Sequence, residues 1–425
     1  MKHVIIGNGP TGVIAAEALR GLDPRAEIVL IGDEAEPPYS RMAIPYYLVG
    51  NIPETGTHLR KDPGHFAKAR IELVRGRVAR VDPTARRIAF DDGRELGYDR
   101  LLIATGSRPA RPPVPGIDHP AVQTCWTLAD ARAIAGETKP GTRVVQIGAG
   151  FIGCIILEAL ALRRVKLTLV EAGDRMVPRM MTPKAGTMIR RWVERNGIDV
   201  HVNAKLTSIA PRGDALVARL ENGEAIDADF VICAAGILPN VELLAGSGVE
   251  IGRGIRVDAG MRTSVPDIYA AGDVVEAPGF HSGEPEVNAV QPNAADQARI
   301  AAINMAGGDS RSQGSLAFNV LDSLGLISTS FGQWWGVQGG QGVEQADEEH
   351  FRYLSLQFDD DVLIGATGIG HTDHAGALRG LIQGRVRLGA WKERLLADPS
   401  QYVAAYLACA QDQARSHALD ALRPR

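Results

Sequence analysis

One arrangement in the sequence occurs twice and limits the possible folds more than any other feature. The segments HVIIGNGPTGVIAAEAL and RVVQIGAGFIGCIILEAL, at 3–19 and 143–160, each run from a β-branched apolar stretch through three spaced glycines into an Ala/Leu-rich helical pattern. Each is followed by a second apolar stretch, EIVLIGDE or KLTLVEAG, that brings an acid about twenty residues beyond the glycines. One such glycine pattern is weak evidence. Two complete strand-turn-helix-strand-acid units predict two dinucleotide-binding domains.

The three glycines of each unit have different physical tasks. The first makes a tight turn, the second lets the backbone approach a pyrophosphate, and the third lets the helix pack on the strand. The helix N-terminus then offers free N–H groups and a partial positive charge to the phosphates. The predicted phosphate-binding residues are Gly7, Gly9, Pro10, Thr11 and Gly12 in the first unit and Gly148, Gly150, Ile152 and Gly153 in the second.

Two later strands have similar ends. YDRLLIATGSRP at 98–109 and DFVICAAGILPN at 229–240 both read as buried strands that enter a small-small-Gly turn and then meet proline. Either alone is open to interpretation as an ordinary strand exit. Because they come as a pair, we expect each to close one nucleotide domain across its cofactor, through Ala104, Thr105 and Gly106 in the first and Ala235 and Gly236 in the second.

Composition supports this α/β fold class. The 425 residues suffice for two or three domains, and 48 glycines with only 5% aromatic residues suit a chain rich in tight turns. A net charge of -4 gives no basic footprint for nucleic acid or an anionic membrane. The longest apolar stretch, 151–162, is too short to span a bilayer.

The cysteines indicate a reduced, cytoplasmic protein. They lie far apart and form no C-x-x-C pair or metal-spaced set, so they read as small apolar core residues. These residues are Cys125, Cys154, Cys233 and Cys409.

A third region identifies a family. RVDAGMRTSVPDIYAAGDVVE at 256–276 leads into NAVQPNAADQARIAAINMAGG, which predicts a helix starting near Pro292. With the glycine units, these segments resemble the FAD- and NAD(P)-binding oxidoreductases of the glutathione-reductase superfamily. Within it they are most similar to the flavin module of assimilatory nitrite reductases and to rubredoxin and ferredoxin reductases. The resemblance covers about residues 1–395.

The resemblance implies hydride exchange between a nicotinamide and FAD. It implies an FAD domain, 1–116 and 246–313, interrupted by an NAD domain, 117–245, and followed by a C-terminal α+β interface domain, 314–425, through which the chain can form oligomers. In the family pattern Gly272 and Asp273 contact the FAD ribityl group. The helix that begins at Pro292 and Asn293 points its positive end at the flavin pyrimidine.

Acidic residues indicate which nucleotide each unit takes. Glu171 matches the acid that accepts hydrogen bonds from the NAD ribose and repels a 2′-phosphate, which favours NAD(H). Arg175 and Arg179 lie nearby and weaken that preference. In the first unit the ribose acid is either Asp33 or Glu34.

The segment YSRMAIPYYLVG, 39–50, replaces the redox centre of many relatives. It is similar to the family loop P-Y-x-R-P-x-L-S, which includes Arg41 among the flavin-binding candidates. Met42 falls where thiol-dependent relatives carry cysteine, and a thioether cannot form a thiolate or sulfenic acid. Tyr46 either contacts the isoalloxazine or is a half-buried core residue. Ile155 stands where relatives place a glutamate beside the nicotinamide.

Without a thiol at this position, electrons must enter or leave through a partner. We expect an iron–sulfur protein: a diffusible ferredoxin or rubredoxin, or a fixed subunit of a complex such as a tungsten-containing aldehyde oxidoreductase. The alternatives are an NADH oxidase or peroxidase and, as in the apoptosis-inducing-factor branch, a redox-dependent scaffold or sensor.

Two pairs of residues after position 314 are each open to two interpretations. Trp334 and Trp335 either form a patch that faces the partner or the flavin, or they anchor the domain. His371 and His374 have the spacing of a metal pair but no third ligand, and turn-capping is the alternative.

Overall fold

The computed structural model describes residues 1–371 and 373–409. They form two compact units. The first comprises Met1–Ala110, Trp126–Arg132 and Ile237–Ser315, and the second comprises Arg111–Cys125, Ala133–Gly236 and the described residues from Leu316. The boundaries of three separate domains stay a prediction.

The strands are named in chain order. The first thirteen are β1 Lys2–Ile6, β2 Glu27–Gly32, β3 Ile71–Arg75, β4 Val78–Asp82, β5 Arg87–Phe90, β6 Glu95–Gly97, β7 Arg100–Ile103, β8 Ser107–Pro109, β9 Val122–Gln123, β10 Arg143–Ile147, β11 Lys166–Val170, β12 Asp199–His201 and β13 Leu206–Arg212. The others are β14 Ala215–Leu220, β15 Ala225–Ala228, β16 Phe230–Cys233, β17 Ile237–Pro239, β18 Ile255–Arg256, β19 Ile268–Ala270, β20 Val275–Pro278, β21 Pro285–Glu286, β22 Phe318–Ser323, β23 Leu326–Gly332, β24 Gln341–Asp347, β25 Arg352–Asp359 and β26 Val362–Ile369.

The helices follow the same convention. They are α1 Pro10–Leu22, α2 Ile44–Leu48, α3 His65–Lys68, α4 Leu128–Glu137, α5 Phe151–Leu162, α6 Pro183–Arg195, α7 Gln291–Met305, α8 Ala375–Gln383 and α9 Ala390–Ala397. In the described part of the chain, no helix has both the length and the apolarity needed to cross a bilayer.

The first unit is organised around a five-stranded parallel sheet of order β19-β7-β1-β2-β3. Its centre, β1, is buried along most of its length, without alternation between apolar and polar residues. That pattern is typical of parallel sheets, which are covered on both faces. Smaller sheets, β4-β5-β6, β18-β20-β21 and β17-β8, complete the unit.

The second unit repeats this plan in the sheet β12-β11-β10-β16-β9, which is also parallel. In both sheets the strand before the glycine turn lies between the following strand and a later strand that ends in a small-small-Gly turn. The order in which strands are added to the sheet reverses at this point. Ligands of such sheets bind there, beyond the carboxyl ends of the strands. The predicted α/β fold class, with two Rossmann-like domains, is confirmed.

The exits of the two repeats pair with each other. Strand β8 continues from the first repeat and β17 from the second, and they run antiparallel, with Ile237 opposite Pro109 and Pro239 opposite Ser107. Both strands belong to the first unit. The chain therefore returns from the second nucleotide-binding sheet into the first unit at this ribbon.

From Leu316 onward, the chain forms an antiparallel sheet of order β22-β23-β26-β25-β24, and α8 packs against this sheet. The predicted acidic hairpin turn is confirmed between β25 and β26, where Asp360 has φ +47°. A break at Pro399 follows α9, as predicted. The rest of the predicted amphipathic tail, 410–425, lies outside the described residues.

Tyr353 ties this sheet to the N-terminus of α6. Its ring is fully buried, and its hydroxyl accepts a hydrogen bond from Thr182 at 2.8 Å and donates one to Glu344 at 2.8 Å. Thr182 also caps α6 by accepting the N–H of Ala185. Burial raises the pKa of Tyr353 to about 12, so the phenol stays protonated and able to donate at neutral pH.

We therefore predict that Tyr353→Phe destabilises the second unit. Losing the hydroxyl removes the hydrogen bond from the half-buried Thr182 and the one to Glu344. The expected cost is about 1 kcal/mol, which corresponds to a fall in melting temperature of roughly 2–4 °C for a unit of this size. Scanning calorimetry measures it. Tyr98→Phe is the control, because Tyr98 is buried but its hydroxyl makes no hydrogen bond within residues 1–371 and 373–409. An unchanged melting temperature for Tyr353→Phe would contradict the role of the hydroxyl.

Candidate functional site

The first glycine turn follows β1 and leads into α1. Gly7 has φ +114°, and a Cβ there would overlap the carbonyl oxygen of Ala104. A Cβ on Gly12 would overlap the carbonyl oxygen of Gly7. Around Gly9, in contrast, nothing lies within 4 Å of where a Cβ would be. The turn is closed on its inner side and open at its middle glycine, as a pyrophosphate requires.

The second turn has the same construction. Gly148 has φ +97°, and its Cβ would overlap the carbonyl oxygen of Ala234. A Cβ on Gly153 would overlap the carbonyl oxygen of Gly148, while Gly150 faces open space. Each glycine turn thus packs against the turn after the neighbouring strand, at Ala104 in the first unit and at Ala234 and Ala235 in the second. The cofactor contacts of Ala104 and Ala235 stay a prediction.

The helices beginning at these turns have uncapped N-termini. Gly9 precedes α1 and Gly150 precedes α5, both in extended conformation, and neither helix receives a side-chain capping bond. The first N–H groups of a helix need partners and attract anions. Two open turns, each followed by an uncapped helix, fit the pyrophosphates of FAD and NAD. The predicted residues Pro10 and Thr11 lie in the first turn of α1, and Ile152 lies in the first turn of α5.

Glu171 lies directly beside the second turn. Its carboxylate accepts the N–H of Ala149 at 2.7 Å and that of Gly173 at 2.7 Å. Arg175, by contrast, bonds to Asp174 at 2.7 Å and to the carbonyls of Pro178 and Met181 at 3.1 Å. These protein groups hold the Arg175 guanidinium, so it is less available to attract a 2′-phosphate. The preference for NAD(H) that Glu171 indicates is therefore weakened less by Arg175 than the sequence suggests.

The two acidic candidates of the first unit differ in their surroundings. Glu34 accepts a hydrogen bond from the Tyr39 hydroxyl at 2.6 Å and one from Arg41 at 2.8 Å. Asp33 is exposed. Arg41 also lies 5.3 Å from the ring centroid of Trp126. Glu34 and Arg41 hold each other in place, and the ribose acid stays a prediction with two candidates.

Met42 and Tyr46 lie on the outer side of the loop that replaces the redox centre. Residues Arg41–Ala43 form a 3-10 turn that continues into α2. Ile44 and Leu48 are buried beneath it, whereas Met42 is 47% exposed and Tyr46 is 58% exposed. The alternative of Tyr46 as a half-buried core residue is therefore wrong, because α2 turns Ile44 and Leu48 inward.

Ion pairs of Arg132, here called the Arg132 clamp, hold both ends of this loop, and no sequence pattern indicates them. The guanidinium bonds to Glu36 at 2.8 Å and to both carboxylate oxygens of Glu54 at 2.8 and 2.7 Å. All three residues belong to the first unit. Because they are far apart in the chain, only the folded structure brings them together.

The Gly272 turn lies next to α7. Gly272 has φ +87°, and its N–H donates to Gln297 on α7 at 2.9 Å. Asp273 accepts a hydrogen bond from Ser107 at 3.2 Å, and burial raises the pKa of its carboxyl. Helix α7 begins at Gln291 with proline in its first turn, which confirms the predicted start and places Pro292 and Asn293 there.

The exit turn of the first repeat is held by Asn240. Its side-chain amide donates to the carbonyl of Thr105 at 2.9 Å, and the Thr105 hydroxyl donates back to the Asn240 carbonyl at 2.8 Å. Gly106 accepts the Asn240 N–H, and Gly236 has φ +117° at the end of the second exit. Gln297 and Asn240 were missed as site residues, although both stand in segments that the sequence analysis quoted.

The remaining candidates lie in the second unit. Ile155 is half-buried on α5. Trp334 is 9% exposed, as an anchor requires, whereas Trp335 is 61% exposed. No three His, Cys, Asp or Glu side chains in the described residues are grouped to hold a metal ion. His374 precedes α8 with φ +61°, and burial lowers the pKa of His371.

The two turns predict separable defects. Gly148→Ala should weaken NADH binding roughly tenfold or more, the cost of about 1.4 kcal/mol of strain, because its Cβ meets the Ala234 carbonyl. The protein should remain yellow. Gly7→Ala should lower the FAD content of the purified protein instead. Flavin absorbance and anaerobic NADH titration measure the two effects.

The control is Gly141→Ala, at φ +88° with nothing within 4 Å of the added Cβ. It carries the same backbone penalty without the overlap. Loss of FAD from Gly148→Ala, with FAD retained by Gly7→Ala, would reverse the assignment of the two turns.

Comparisons with known proteins agree with this geometry. Over 402 residues the chain is 30% identical to the NADH-dependent phenylglyoxylate dehydrogenase subunit epsilon of Aromatoleum evansii, covering 94% of this chain and 95% of that one. It is 35% identical over 303 residues to the ferredoxin–NAD(+) reductase component of the biphenyl dioxygenase system of Paraburkholderia xenovorans, covering 71% and 74%. A ferredoxin reductase structure from Rhodopseudomonas palustris superimposes with a TM-score of 0.82 at 28% identity, covering 89% and 93%.

The family comparison covers both glycine turns and the Gly272 turn. Residues 1–301 match the pyridine nucleotide-disulphide oxidoreductases. Members of this family bind FAD and NAD(H), which is what the two open turns and uncapped helices accommodate. The chain is an FAD- and NAD(H)-binding oxidoreductase of the pyridine nucleotide-disulphide oxidoreductase family.

Proposed function

We propose that this chain is the NAD-linked reductase component of an electron-transfer system. It exchanges hydride with NAD(H) through FAD and single electrons with an iron–sulfur protein or subunit. The observation that carries the proposal is Met42, a 47% exposed thioether where the family resemblance puts the redox cysteine of thiol-dependent relatives. The first unit, whose residues are all described, contains no cysteine.

The chain's own residues then position two nucleotides. FAD, when bound, takes up hydride and can release electrons one at a time. The N-terminus of α1 would bind its pyrophosphate, Asp273 would accept hydrogen bonds from its ribityl hydroxyls, and the positive end of α7 would stabilise negative charge on the flavin. The N-terminus of α5 and Glu171 would hold NAD(H).

The state of Asp273 matters for this arrangement. Burial raises the pKa of its carboxyl because it disfavours the charged form, and hydrogen bonds from ribityl hydroxyls would compensate a carboxylate there for the water that it loses. Its bond from Ser107 at 3.2 Å holds it at the turn.

Of the two kinds of electron partner, we favour a fixed iron–sulfur subunit of a larger complex. Similarity to a dehydrogenase subunit extends over 94% of this chain, whereas similarity to the ferredoxin reductase component extends over 71%. A diffusible ferredoxin or rubredoxin is the other form. We propose a cytoplasmic location, because the scattered cysteines suit a reduced protein. We also propose an oligomer contact through the C-terminal domain.

Purification of the native protein from its own cells tests the proposal. Co-purifying iron–sulfur subunits would support a fixed complex. A lone yellow protein that reduces a ferredoxin or rubredoxin with NADH would support the diffusible form. Rapid NADH turnover with oxygen or peroxide alone would instead indicate an oxidase or peroxidase. Very slow flavin reduction with a long-lived charge-transfer band would indicate a sensor or scaffold.

Glu171→Gln should relax the nucleotide preference. The substitution removes the negative charge that repels a 2′-phosphate and weakens the charged acceptor for the ribose, a change of about 1.5–3 kcal/mol. The ratio of kcat/KM for NADH over NADPH should therefore fall roughly tenfold or more. Glu158→Gln, on α5, serves as the control. An unchanged ratio would contradict the assigned role.

Met42→Cys tests whether this position is simply an unused redox position. Because Met42 is exposed, the change should alter NADH-dependent reduction of one-electron dyes by no more than about twofold, as for other surface substitutions. It should create no physiological disulfide reduction. Met42→Leu is the matched control. Loss of FAD from Met42→Cys would show that the methionine is a structural contact.

A further inference from the structure

Gln146 is a buried amide beneath the second glycine turn. It lies in β10, two residues before Gly148, and its side chain has no solvent exposure. The Nε2 group donates to the carbonyl of Gly148 at 3.1 Å and to that of Gly153 at 2.8 Å. The Oε1 atom is buried and accepts no hydrogen bond from the described residues.

These two bonds join opposite ends of the turn. Gly148 is its first glycine and Gly153 its third, and the open Gly150 lies between them in sequence. Gly153 is already the third residue of α5, so the amide connects the strand end to the helix start. The donor therefore constrains the segment whose N–H groups must meet a pyrophosphate.

The first repeat shows that such a turn forms without this amide. The corresponding residue there, two before Gly7, is Ile5, which is also fully buried. A buried polar atom without a partner is destabilising. Ile5 avoids that penalty, so the amide in the second repeat needs a reason beyond forming the turn.

The two ligands differ in how long they stay bound. FAD remains in its site through many turnovers, so the ligand itself holds the first turn in place. NAD(H) must bind and leave in every cycle, so the second turn has to keep its shape while empty. A site that is already ordered spares the ligand the entropic cost of ordering it.

We propose that Gln146 is a positioning residue that keeps the second turn preorganised for NAD(H) between turnovers. The inference deepens the NAD(H) role of this site within the proposed function. It does not depend on the identity of the electron partner. The amide acts through the backbone of the turn, by holding the carbonyls of Gly148 and Gly153.

The test compares Gln146→Ile, which copies the first repeat, and Gln146→Leu with the unchanged FAD-loaded protein. Calorimetric titration with NAD+ should show a dissociation constant about tenfold higher, the equivalent of one or two neutral hydrogen bonds. Hydrogen–deuterium exchange should be faster for amides 148–153 without NAD+, and saturating NAD+ should remove the difference. FAD content and kcat at saturating NADH should be unchanged.

The matched control is Ile147→Val, which removes a buried methyl group from the same strand without changing a hydrogen bond. It should leave exchange in the turn and NAD+ affinity near the original values. Unchanged exchange and affinity in both Gln146 variants would overturn the inference. Loss of FAD together with NAD+ affinity would also overturn it, because a residue that serves only the second turn cannot affect the first. A failed search for an iron–sulfur partner would leave these measurements unaffected.

Discussion

The close packing of a glycine against a carbonyl, made twice, is the contact on which the rest of this molecule depends. Gly7 lies against Ala104, and Gly148 lies against Ala234, so closely that a Cβ would overlap the oxygen. The helix after each turn can therefore start directly at the carboxyl edge of the sheet. Its uncapped N–H groups then face the space in which a dinucleotide pyrophosphate fits.

The two glycine turns have different surroundings. Beside the second turn, Glu171 is held by backbone N–H groups, and Gln146 connects the carbonyls beneath. In the first repeat the strand residue is the apolar Ile5, and Glu34 is paired with Arg41. These differences agree with our proposal that the second unit exchanges its nucleotide while the first retains its cofactor.

Much of this arrangement could be predicted from sequence, because glycine turns, hairpins and helix starts are local. The spacing around Gly148, the turn at Asp360 and the start of α7 at Gln291 each follow from residues close together in the chain. The exposure of Tyr46 could not be predicted, since a five-residue helix can present either side to the core.

The contacts that hold the site together are of another kind. The Arg132 clamp joins residues separated by 78 and 96 positions, and Asn240 bonds to Thr105 across 135 positions. Nothing in either segment alone indicates its partner, since a charged or amide side chain suits many surface positions. The contacts of Gln146 could not be predicted either, because a single polar residue in an apolar strand does not indicate which groups it bonds to.

In the function that we propose, the flavin of this chain exchanges electrons with an iron–sulfur protein and not with a thiol or oxygen. Anaerobic double-mixing stopped flow tests it most directly. The protein is first reduced with one equivalent of NADH and then mixed with a rubredoxin or ferredoxin, or with oxygenated buffer. The account predicts that the flavin absorbance returns faster with the iron–sulfur protein, by roughly tenfold or more, as for a barrier lower by about 1.4 kcal/mol. Faster return with oxygen, and none with either iron–sulfur protein, would contradict it.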